Sequence, residues 1–140
     1  MILYVKKNEL EAKVPQYAHP GDAGMDFFAL ENTLVPAGKI ARVRTGISVE
    51  IPEGFVGLIW DKSGLSMNSG LKILGGVIDS GFRGEIIMGI INLGEKDYTF
   101  EKHHKIAQML IQPINRLDIV EVPNLSYTVR GTDGFGSTGK

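Results

Sequence analysis

Apolar residues in this chain never keep a helical period for long. They come in short β-branched and aromatic runs, each cut off by Gly, Pro, Asn or Asp. Such a pattern fits many short strands joined by tight turns, which is the pattern of an all-β sandwich or barrel and leaves little room for helix. The spacing predicts strands over 2–6, 40–45, 47–50, 55–60, 85–91, 98–101, 106–112 and 118–122. Pro36-Ala37-Gly38 and Pro52-Glu53-Gly54 supply turns, proline fixing φ and glycine allowing the return. One short helix is expected after Ser63, whose hydroxyl suits an N-cap. The 18 glycines are scattered rather than periodic, which excludes collagen and solenoid architectures. Residues 86–91, Ile-Ile-Met-Gly-Ile-Ile, are apolar on both faces, so that strand lies in a double layer or meets another subunit.

A chain of 140 residues is expected to build one domain around one core. A formal net charge of -1 gives no basic face for duplex nucleic acid, so a small partner is expected. The absence of cysteine excludes disulfides and thiolate metal sites and agrees with a cytosolic compartment. Residues 1–7 lack the apolar run of a signal peptide, and no segment reaches the roughly 20 apolar residues of a membrane span. The expectation is a soluble intracellular protein.

Several short stretches carry groups capable of chemistry. Asp79 ends the apolar run 76–78 beside Ser80-Gly81 and Phe82; a carboxylate among apolar neighbours is a candidate general base, although Asp-Ser-Gly is also an ordinary turn. Asp22 and Asp26 frame a second acidic loop that could reach a hard cation or simply be solvated. Lys62-Ser63-Gly64 places a cation, a hydroxyl and glycine amides in one turn, suited to phosphate oxygens or to plain capping. His103 and His104 point to opposite faces if on a strand and lack a third partner for zinc, so they read as a polar hairpin tip.

At the carboxyl end, 134–140 match the opening of the Walker A pattern G-x-x-x-x-G-K-[ST]. A P-loop needs a helix behind its lysine, and no residue follows Lys140, so an ATPase reading fails. What remains is a glycine-rich segment with Arg130 at its root, Phe135 in its middle and the Ser137-Thr138 hydroxyls near its tip.

The order of these stretches is more specific than any one of them. Ala23-Gly24-Met25-Asp26, Lys62-Ser63-Gly64-Leu65, Gly76-Val77-Ile78-Asp79 with Phe82-Arg83-Gly84, Lys105-Ile106-Ala107-Gln108, and the run from Arg130 to Gly139 resemble the five ordered motifs of the homotrimeric dUTPases. The resemblance spans nearly the whole chain. It implies a distorted jelly-roll-like β fold (a β-clip) over 1–129 with at most one short helix, and a flexible glycine-rich arm, 130–140, that closes over the active site.

The same resemblance implies hydrolysis of dUTP to dUMP and pyrophosphate by water attacking the α-phosphorus, with Mg²⁺ held mainly by the substrate phosphates. Asp79 would orient and deprotonate the water, and Asp26 would reach the metal through water. Ser63, Gly64 and Gln108 would hold phosphate oxygens, Lys62 adding charge from a neighbouring subunit. Backbone groups of a hairpin from Gly76 to Ile87 would read uracil, and Phe82 would pack under the deoxyribose. Arg130, Gly136, Ser137 and Thr138 would engage the phosphates while Phe135 stacks on the base. Three chains would share each site.

Four stretches depart from the family pattern. Lys62 stands for a usual arginine and lacks its bidentate fork. Phe82 stands for tyrosine, His103-His104-Lys105 for Gly-Asp-Arg, and Asp133 for a neutral residue. Two alternatives share the fold. A dCTP deaminase would carry a glutamate ten residues past Asp79, where this chain has Gly89, and a non-catalytic nucleotide-binding regulator would lack the base or the tail.

Overall fold

The computed structural model describes residues 1–134. Eleven strands and one short helix are found there: β1 (Tyr4–Lys7), β2 (Met25–Phe28), β3 (Thr33–Val35), β4 (Ile40–Arg44), β5 (Ile47–Glu50), β6 (Phe55–Trp60), α1 (Ser63–Ser69), β7 (Leu71–Leu74), β8 (Val77–Asp79), β9 (Ile87–Asn92), β10 (Tyr98–Phe100) and β11 (Lys105–Pro113). They form four antiparallel sheets, β1-β5, β3-β10, β2-β11-β6-β8 and β4-β9-β7. The all-β reading therefore stands.

One core joins the four sheets. Phe27, Met109 and Ile59 from the four-stranded sheet meet Val43, Met88 and Ile90 from the three-stranded one, with Ile47 and Phe100 closing the ends. Alternation decides which side chains enter it: in β9, Met88, Ile90 and Asn92 are buried while Ile87, Gly89 and Ile91 stand on the outer face. Asn92 is wholly buried yet satisfied, its amide donating to the Val35 and Lys96 carbonyls and its Oδ1 accepting from Gly94 N–H. It shapes the polar connection between β9 and β10.

Four strands lie outside the sequence expectation. β2, β3 and β7 are only three or four residues long, too short for a period to show, and β8 reads in sequence as a run ending in a turn. The strand expected over 118–122 is not formed. Every described residue from 112 onward is exposed, Ile119 at 99%, and among the described residues no strand pairs with 118–122. Ser63 is the first helical residue rather than the cap; Lys62 holds the N-cap position in extended conformation, without a side-chain capping bond. The helix closes on Gly70 in the left-handed region, whose N–H reaches the Ser66 carbonyl at 3.0 Å. Among the described residues no helix is long and apolar enough to cross a membrane.

Candidate functional site

Cross-strand register builds the site. In the four-stranded sheet Asp26 of β2 lies opposite Gln108 of β11, which in turn lies opposite Trp60 of β6. Directly paired residues project to the same face, so a carboxylate, an amide and an indole form one row. All three line a cavity of about 430 Å³ together with Gly24, Asp61 and Lys62. Gly24 keeps this row open, because a Cβ there would stand 2.5 Å from Gln108 Oε1. The Gln108 amide donates to the Asp61 carbonyl at 2.9 Å, tying β11 to the end of β6.

Asp26 is 2% exposed, which overturns its reading as a possible solvated loop acid. Lys62 Nζ donates to its Oδ1 at 2.5 Å, and Lys105 Nζ lies 2.7 Å from its Oδ2. Burial alone would push this carboxyl up, but the two ammonium groups outweigh burial and hold it below the usual carboxylate range. Asp26 is therefore ionised, and the three groups together carry one net positive charge.

Lys105 is not singled out as a site residue by the sequence, and a β-bulge explains why. Lys105 pairs with Phe28 and Gln108 with Asp26, so the partners stand two positions apart on β2 but three apart on β11. In a regular strand Lys105 and Gln108 would point to opposite faces. The extra residue between Lys105 and Ala107 brings both to one face. Trp60, half-exposed at the rim of the cavity, reads in sequence only as a strand residue. Its register with Gln108 is invisible in either segment alone.

Ser63 and Gly64 follow Lys62 and stand exposed at the start of α1. The first helical bond is Ser66 N–H to the Lys62 carbonyl, which leaves the amides of Ser63 and Gly64 without intrahelical acceptors. They open next to the cavity's lysine and present donors of the kind phosphate oxygens take.

Asp79 belongs to a different place. It ends β8 opposite Val56 of β6, is exposed, and does not line the Asp26 cavity. The apolar enclosure expected for this carboxylate is not supplied by its own chain. Gly76 precedes β8 with φ 107°, and its carbonyl accepts from Ile59 N–H at 2.8 Å; a Cβ would fall 2.9 Å from the Ile59 carbonyl. The stretch from Gly76 to Ile87 is not a two-stranded hairpin, because β8 bonds to β6 whereas β9 bonds to β4 and β7. It is a crossover between sheets, turned by Phe82 N–H on the Asp79 carbonyl at 3.0 Å and by the Arg83 guanidinium on the Ser80 and Phe82 carbonyls. Phe82 and Ile87 are both partly exposed along it. Arg130 sits in a turn, donating to the Asp133 carbonyl at 3.0 Å, and does not line the cavity. Phe135, Gly136, Ser137 and Thr138 lie outside the described residues.

No group of three or more His, Cys, Asp or Glu among the described residues could hold a metal by itself. Both Asp26 oxygens face an ammonium, so direct ligation does not fit. A carboxylate has about four acceptor sites, which leaves room for water to bridge Asp26 to a cation carried in by phosphates.

A lysine and a glutamine amide at the cavity, with the Ser63 and Gly64 amides adjacent on an all-β frame, offer donors that a polyphosphate anion can take. A family model described as dUTPase matches residues 10–139, and the chain belongs to that family. The deoxyuridine 5'-triphosphate nucleotidohydrolases of Clostridium tetani and Alkaliphilus metalliredigens are 49% and 44% identical to it, over 99% and 96% of this chain and 97% and 95% of theirs. The dUTPase of Staphylococcus bacteriophage 80alpha, solved with dUPNHPP, is 32% identical with a TM-score of 0.93 and 99% of each chain covered. A mutant dUTPase from phage phi11 of S. aureus, whose structure concerns coordination of a structural Mg(II) ion, is 27% identical with a TM-score of 0.83, covering 91% of this chain and 100% of the other.

Proposed function

We infer that this chain hydrolyses dUTP to dUMP and pyrophosphate. The observation that carries the reading is the Lys62–Asp26–Lys105 cluster beside the Gln108 row, set in a chain that matches the dUTPase model from residue 10 to residue 139. The triphosphate lies along Lys62, the Ser63 and Gly64 amides and Gln108. Asp79 takes a proton from water as the water oxygen attacks the α-phosphorus; the bond from that phosphorus to the bridging oxygen breaks, and pyrophosphate leaves. Mg²⁺ on the phosphates would neutralise charge as the leaving group departs, with Asp26 reached only through water. In-line displacement needs positioning and charge more than covalent chemistry, and a base with many fixed donors supplies both. Backbone groups between Gly76 and Ile87 read uracil, Phe82 supports the sugar, and the arm 130–140 covers the nucleotide through Arg130, Phe135, Gly136, Ser137 and Thr138.

Asp79 and the Asp26 cavity are separate on one chain, and a homotrimer that brings them together from different chains resolves the separation. Two features support assembly. Leu117, Ile119, Val120, Val122, Leu125, Tyr127 and Val129 are all exposed on a segment without a described strand partner, and Ile87 of β9 and Val77 of β8 each leave apolar surface open. Burying such surface contributes about 25 cal/mol per Å², from which the entropic cost of association is subtracted. A nucleotide-pool enzyme of this kind works in the cytoplasm, or inside the host if the chain is viral.

Pyrophosphate release from dUTP, compared with dTTP, dCTP and UTP with and without Mg²⁺, tests the reading. Fast release from dUTP alone, dependent on Mg²⁺, is expected. Ammonia release from dCTP would point to a deaminase, a reaction for which Gly89 in β9 leaves no acid at that position.

A further inference from the structure

The two lysines on Asp26 are not equivalent. Lys62 makes a directed hydrogen bond to Oδ1, whereas Oδ2 has no directed donor and is held by the charge of Lys105 at 2.7 Å. Lys62 leads into the amides of α1; Lys105 is placed by the bulge at the start of β11, and it is not among the residues lining the cavity. If Lys62 were the only partner, the pair would be neutral and would offer an incoming triphosphate no net charge. Lys62 would also have to strand a buried carboxylate to reach it. Leaving a buried charge without its partner is strongly unfavourable.

We propose that Lys105 is a positioning residue, the counter-ion that stays with buried Asp26 when Lys62 turns to the phosphates of bound nucleotide. The inference rests on the dUTP reading. Lys105 acts through Asp26 and Lys62 rather than by touching substrate. It leaves the cluster one net positive charge before binding and a neutral Lys105–Asp26 pair after Lys62 has moved. The bulge is what makes the exchange geometrically available, since a regular β11 would aim Lys105 to the other face.

The experiment is calorimetric titration of the full-length protein with α,β-imido-dUTP in chelator, which removes metal from the comparison. Lys105→Met is expected to bind about a hundredfold more weakly than wild type, the lower end of what an uncompensated buried charge costs. Its melting temperature without nucleotide stays close to wild type, because Lys62 still pairs with Asp26. Lys105→Arg restores binding. The double variant Asp26→Asn/Lys105→Met recovers most of the lost affinity, since no carboxylate is left to strand. In turnover with dUTP, Lys105→Met raises KM more than it lowers kcat. Unchanged binding by Lys105→Met overturns the inference, and so does a loss that Asp26→Asn fails to relieve, which would mean that Lys105 holds phosphate directly. Failure of wild type to bind the analogue overturns the dUTP reading, and the inference falls with it.

Discussion

The Asp26 cavity and the Asp79 crossover are built on opposite plans. The first is finished within one chain: its carboxylate is buried, both carboxylate oxygens face a cation, and register across three strands fixes its row of side chains. The second is unfinished: Asp79, Phe82 and Ile87 face solvent, and the loop satisfies mostly its own carbonyls. Binding groups can be pre-organised by a single fold, because a charged cavity is stable once its charges are paired. An exposed base gains its surroundings only when something covers it. On the proposed reading, phosphate binding belongs to the finished half and proton transfer to the half left open to solvent.

Asp79→Asn gives the largest effect and separates the halves directly. The amide keeps the size of the side chain but cannot take a proton, so turnover of dUTP should fall by about 10²- to 10⁴-fold. Binding of α,β-imido-dUTP should stay near the wild-type value, because no phosphate-binding group changes. Equal losses in turnover and binding would place Asp79 in ligand recognition instead of proton transfer.

Whether the halves of one site come from different chains is answered by mixing. Asp79→Asn and Lys62→Met proteins, each impaired alone, should regain activity when unfolded and refolded together. Random mixing in a closed three-fold assembly leaves about a quarter of the sites with both halves intact. If both halves of a site belonged to one chain, the mixture would show only the mean of its parents.

How much of this is legible in the sequence depends on whether a residue's surroundings are local. β5 and β6 are expected with the right ends, and β9 and β11 nearly so, because β-rich runs with turn residues at their borders mark a strand within its own sequence. β2 is not, since Met-Asp-Phe-Phe is buried on both faces and carries a charge whose compensation arrives from Lys62 and Lys105, far along the chain. Residues 118–122 have the composition of a strand, but composition does not supply a neighbour, and this chain offers none. Lys105 is hidden by a single inserted residue. Ordered motifs locate Asp26, Lys62, Gln108 and Asp79, yet only register shows that the first three converge and the fourth stands apart.

The unfinished half is nevertheless anchored at one end, which sets the smallest effect. Glu85 accepts from Arg44 Nε and Nη2 at 3.2 and 3.0 Å and from Gly46 N–H at 2.8 Å, while Thr45 donates to the Ile86 carbonyl beside it. Burial alone would push the Glu85 carboxyl up, but Arg44 and the Gly46 amide outweigh it and hold it below its ordinary value. A carboxyl whose folded pKa is lowered contributes stability above its unfolded pKa, and that contribution is lost as pH falls through the folded value. Glu85→Gln should therefore cost about 1–2 kcal/mol in denaturant unfolding at neutral pH, a figure reduced for the partial exposure of Arg44. The difference from wild type should shrink at acid pH below the carboxylate range. Because Glu85 pins the crossover and not the cavity, the variant should raise amide exchange across 80–86 while leaving that of β2 and β11 unchanged. Equal loosening of β2 would mean that the two halves share one support.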